Sequence, residues 1–75
     1  MKLYIAECYD RHTDPVIKVF DSPEAAISYA KDFVYDNARH QDDIVERVVD
    51  WALYYCQYSV EGDHVLVKEG ILNGK

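Results

Sequence analysis

Apolar residues recur at Ala26, Ile27, Ala30, Phe33, Val34 and Ala38, three and four positions apart, which predicts one face of an amphipathic helix. Its start signal is strong. Ser22 can accept a free backbone N–H of the first turn, and Pro23 takes the first helical position, where its missing N–H costs nothing. Asp21 and Glu24 add negative charge beside the positive end of the helix dipole. Asn37, Arg39 and His40 predict a stop near residue 40.

Before the helix the period drops to two. Leu3, Ile5 and Glu7 alternate against Tyr4, Ala6 and Cys8, so Leu3 to Tyr9 reads as a strand. Asp10-Arg11-His12-Thr13-Asp14-Pro15 is a polar turn, and Val16 to Phe20 is the second strand of an antiparallel hairpin. After the helix, Asp42-Asp43 followed by Ile44, Val45, Val48 and Val49 favours a short helix or a kinked continuation through about Asp50. The same residues are β-branched enough to form a strand, which is the competing reading.

Ala52 to Val60 reads as a strand through Leu53, Tyr54, Tyr55, Tyr58 and Val60, against the alternative of one long helix from Asp42 to Tyr58. Gly62-Asp63 decides between them, because a two-residue linker with Gly first predicts a tight hairpin. Val65 to Lys68, extending towards Leu72, is then the last strand, and Asn73-Gly74-Lys75 is expected to fray. With Glu61 opposite His64, Val60 pairs with Val65, Tyr58 with Val67 and Cys56 with Glu69. Tyr58, Val60, Val65 and Val67 then face the helix. Tyr55, Gln57, Ser59, Leu66 and Lys68 form the opposite face, polar with two apolar islands, as suits solvent or a partner. The expected fold is a single small α+β domain over residues 1–75, an antiparallel sheet with a helix on one face in the order β-β-α-(α)-β-β.

Charge sharpens this picture. Asp21 to Asp50 holds eight acids against Lys31, Arg39 and Arg47, so it carries −5 of the chain's net −6. That balance opposes direct binding of nucleic acid or of an anionic membrane, both polyanions, and favours a basic protein surface. Acidity that only keeps a small protein in solution is the plainer reading. The amino-terminal run Met1-Lys2-Leu3-Tyr4-Ile5-Ala6-Glu7 meets charge too early for a signal peptide. The longest run without a formal charge, Trp51 to Val60, is far short of the ~20 residues of a membrane span, so a cytoplasmic setting is expected.

Catalytic, cofactor and metal motifs are not expected. His12, His40 and His64 lack metal-pair spacing and read as surface residues, and the three glycines build no phosphate-cradling loop. Cys8 and Cys56 read as reduced core residues, and Ser22 as a cap rather than a nucleophile. The seven tyrosines are the unusual feature, too many to be central in so thin a core. Tyr35 shares a helix face with Asp32, Asp36 and Arg39, and a rigid ring among carboxylates is a feature that protein interfaces recruit. The candidate partner-binding set is therefore Asp32, Tyr35, Asp36, Asp42, Asp43, Glu46 and Asp50, with Trp51 as a further anchor.

The junction Phe20-Asp21-Ser22-Pro23-Glu24-Ala25-Ala26, leading from a strand into an acidic helix, carries a resemblance. In size, acidity and β-β-α-β-β order the chain resembles the small proteins that phages and mobile elements direct against their hosts, anti-CRISPR proteins first and phage inhibitors of host RNA polymerase or nucleases next. The resemblance implies an inhibitor that mimics nucleic acid and occupies a basic, nucleic-acid-handling surface of a host complex. It assigns no role to any single residue. The alternative is a non-catalytic accessory domain that forms a homodimer through its sheet face or open edge, burying Tyr55 and Leu66.

Overall fold

The structure, a computed structural model, describes residues 2–71. Strand β1 (Lys2–Tyr9) turns through residues 10–15 into β2 (Val16–Phe20), and helix α1 (Pro23–Asn37) follows. A short 3-10 turn (Gln41–Asp43) leads to β3 (Val45–Arg47), then β4 (Tyr54–Gln57) and β5 (His64–Ile71). The five strands form one sheet in the order β2-β1-β5-β4-β3, and every neighbouring pair is antiparallel. The chain is α+β, with the helix packed on one face.

Local signals set the first half. Ser22 is extended and its hydroxyl accepts the Ala25 N–H at 3.2 Å, capping a helix whose first residue is Pro23. The helix stops at Asn37, three residues before the expected limit, where the Asn37 side-chain amide donates to the Phe33 carbonyl at 2.8 Å. Its buried stripe is Ala26, Ala30 and Val34, flanked by Ile27 and Phe33. Against it lie Ala6 and Cys8 of β1, Val65 and Val67 of β5, and Cys56 of β4. Alanine on the helix, and alanine and cysteine on the sheet, let the two approach closely. Tyr58 fills the end of this layer, 1% exposed, with its ring edge-on to Phe33.

The second half corrects three expectations. Residues 42–50 are not helical beyond the 3-10 turn. Val45, Glu46 and Arg47 pair with Gln57, Cys56 and Tyr55, so the strand reading prevails and the sheet gains a fifth strand. In this arrangement Val45 and Val48 are exposed, while Ile44 packs against the core. The expected strand Ala52 to Val60 shrinks to Tyr54–Gln57.

The third correction is the last hairpin. Cys56 pairs with Val65 and Tyr54 with Val67, a slip of four residues from the tight-turn register. The linker is a loop over residues 58–63, closed by the Tyr58 N–H donating to the Asp63 carbonyl at 2.9 Å. Gly62 still takes the left-handed conformation, with φ +98. Because four is even, Tyr58, Val65 and Val67 keep the side expected of them. Val60 does not: it sits in the loop at 86% exposure, and Ser59 leaves the sheet with it. The expected fraying of Asn73-Gly74-Lys75 and the extension to Leu72 lie outside the described residues.

Among the described residues no helix is long and apolar enough to cross a membrane.

Candidate functional site

The amphipathic pattern that buries Ala26, Ala30 and Val34 turns Asp32, Tyr35 and Asp36 outward together on α1. Tyr35 is 63% exposed. It borders a groove along the helix with Glu24, Ile27, Ser28, Lys31 and Asp32. This groove offers apolar walls at Ile27 and Tyr35, with the Glu24 and Asp32 carboxylates and the Lys31 ammonium along it.

The remaining acids of the predicted set are distributed rather than massed. Asp42 is exposed and Asp43 half-buried on the 3-10 turn beyond the helix end. Asp43 lines a polar pocket with Asp10, His12, Arg39 and His40. Glu46 pairs across from Cys56, so it lies on the helix side of the sheet. There its carboxylate accepts the Tyr54 hydroxyl at 2.7 Å, and the Lys31 Nζ stands 5.6 Å from the centre of that tyrosine ring. Burial and the bond to Glu46 both push the Tyr54 phenol upwards. Asp50 lies elsewhere, lining a shallow pocket with Trp51, Leu53 and Lys68. The structure thus brings together Asp32, Tyr35 and Asp36, with Asp42 and Asp43 beyond the helix end, and separates Glu46 and Asp50 into other pockets.

The ion pairs of the described residues are Lys2–Glu69, Arg11–Glu61 and Lys68–Glu7. None of them involves an acid of the Asp21–Asp50 stretch.

Distant residues also meet where the sequence shows no pattern. At the polar end of the domain the Tyr58 hydroxyl donates to Asp10 Oδ2 at 2.7 Å, while Asp10 Oδ1 accepts the His12 N–H at 2.8 Å. Burial pushes the Asp10 carboxyl up, but these two hydrogen bonds, with His12 and Arg39 nearby, outweigh it and hold it below its usual value. Asp63, 7% exposed, accepts the Arg11 N–H at 2.9 Å and the Ser59 hydroxyl at 3.0 Å. These bonds tie the β1–β2 turn to the β4–β5 loop. His12 and His40 reach one pocket here, yet among the described residues no three His, Cys, Asp or Glu side chains are grouped to hold a metal ion.

His64, half-exposed, packs among aromatic rings. Its ring stacks on Tyr55 at 5.5 Å and lies 5.2 Å from Tyr9, and its Nδ1 donates to the Gly62 carbonyl at 2.8 Å. Trp51 continues the row, edge-on to Tyr55 at 5.4 Å. No spacing in the sequence signals this row, because Tyr9, His64 and Tyr55 come from β1, β5 and β4 and Trp51 from the loop before β4.

Both cysteines are buried and free. Each sits opposite Val65, one on either side of β5, two strand spacings or about 9.5 Å apart. A disulfide needs Cα atoms within roughly 7 Å, so the sheet itself keeps them apart. Burial pushes the Cys8 thiol up to about 11, the opposite of what a nucleophile needs. Comparisons of the chain with protein-family models, curated proteins and solved structures find no match.

Proposed function

We propose that this protein is a non-catalytic binding domain of the cytosol that docks on a basic, nucleic-acid-handling surface of a protein complex and inhibits it, in the manner of anti-CRISPR proteins. Asp32 and Asp36 meet Arg and Lys side chains that otherwise hold phosphates, and Tyr35 seats between them as the buried anchor. Asp42 and Asp43 extend the contact past the helix end. Glu46 and Asp50 contribute long-range attraction instead, steering the encounter at low salt.

One observation carries this reading. Among the described residues the acids of residues 21–50 stay out of the ion pairs, while Tyr35 stands 63% exposed among them. Fixed carboxylates around an exposed ring cost the domain self-repulsion, and a basic partner relieves it. Support for a non-catalytic role is that Ser22 is spent on capping and that both thiols are buried.

The test is capture of a bacterial partner by tagged protein, elution in salt steps, and repetition with Asp32→Lys, Asp36→Lys and Asp43→Lys combined. The expected result is release of a nucleic-acid-handling complex at moderate salt, its displacement by added DNA or RNA, and loss of capture in the triple variant with thermal melting preserved. Capture that survives the charge reversal rules out the acidic helix as the contact.

A further inference from the structure

We propose that the uncovered face of the sheet is a homodimer interface, on which a second copy packs sheet against sheet. Helix α1 covers one side only. An antiparallel sheet with one free face ordinarily turns polar residues to water there. This one does not. On the edge strand β2, Val16, Lys18 and Phe20 pair with Cys8, Ala6 and Tyr4 on the helix side, which leaves Ile17 and Val19 on the free side at 51% and 56% exposure. Leu3 and Ile5 of β1, Leu66 of β5 and Tyr55 of β4 continue the same face, each half-buried.

The charges on this face suit a copy of the same chain. A chain of net charge −6 repels itself, yet the strand residues of this face include one acid, Glu7, against Lys68 and Arg47. Glu7 is already satisfied: Lys68 Nζ lies 2.6 Å from it and the Tyr9 hydroxyl donates to it. The bonds from Lys68 and Tyr9 outweigh burial and hold its carboxyl below the usual range. The pair can therefore lose its water without leaving an orphaned charge. It spans β1 and β5, two of the three inner strands, so a two-fold axis close to it sets Lys68 of each copy near Glu7 of the other.

The area is sufficient for a modest dimer. Five strands at their usual spacing, averaging five to six residues, give a face of about 24 by 18 Å, or roughly 600 Å² of accessible surface per copy once side-chain relief is included. Twice that, about 1,200 Å², lies at the lower end of specific interfaces. The acidic helices then point outward on opposite sides, leaving both free for a basic partner.

The decisive experiment is sedimentation velocity of the full chain from about 1 µM to 1 mM, at low and at 1 M salt, for wild type and for Ile17→Glu with Val19→Glu. Both positions are exposed, so the variant should fold, which far-UV circular dichroism and melting check. Wild type should show a reversible monomer–dimer equilibrium that high salt does not weaken, and the double variant should dissociate at least 100-fold more readily. Wild type monomeric at 1 mM overturns the proposal, as does a dimer that salt dissolves or that the variant leaves intact. The helix charge-reversal variant should still dimerise and the sheet variant should still bind a basic partner, so the two proposals fail separately.

Discussion

Replacing Tyr58 with Phe isolates one hydrogen bond that joins two ends of the chain. The ring is 1% exposed and packs edge-on to Phe33, so the substitution keeps the buried apolar area and removes only the hydroxyl. What is lost is a 2.7 Å bond to the Asp10 carboxylate, 48 residues away. Hydrogen bonds to charged groups contribute about 1.5–3 kcal/mol, and Asp10 is half-exposed, so water recovers part of that. The expected loss is about 1.5 kcal/mol at pH 7, which in a domain of this size lowers Tm by roughly 6–12 °C. The carboxyl of Asp10 is held below its ordinary 3.8 when folded. Its ionised form therefore contributes fully above that pH, and the contribution is lost as pH falls through the lower folded value. Differential scanning calorimetry of both proteins between pH 7 and pH 2 should show a gap that narrows with acid. A gap under 2 °C at pH 7, or one constant down to pH 2, refutes the argument.

Two further outcomes test local features. Ser22→Ala removes the acceptor for the Ala25 N–H and should cost about 1 kcal/mol by urea unfolding, whereas Ser22→Asp should retain most of the stability. Cys8 and Cys56 should react with a thiol reagent only as fast as the domain opens, and air oxidation of the folded chain should yield no intramolecular disulfide by mass spectrometry; rapid labelling or a bridge would contradict the packing.

The legible part of this protein is the part whose causes are local. Ser22-Pro23 marks the start of the helix because capping is settled within four residues. Alternation over Leu3 to Tyr9 and the polar turn at Asp10 to Pro15 mark the first hairpin because neighbouring residues alone make that pattern. Helical period likewise places Asp32, Tyr35 and Asp36 on one outward face before any packing is known.

Tertiary structure decided what a period-two pattern cannot distinguish. Registers that differ by four present the same side chains to the same face, so Tyr58–Val67 and Tyr54–Val67 look alike in sequence. The choice fell to the wider loop, where the Asp63 carboxylate finds the Arg11 N–H and the Ser59 hydroxyl. Val45 to Arg47 became a strand because β4 offered ladder partners. Chain order also hid that β1 lies between β2 and β5, which gathers Leu3, Ile5, Ile17, Val19 and Leu66 on one uncovered face. Each of those residues reads singly as ordinary strand composition. Only pairing between distant strands makes them a surface.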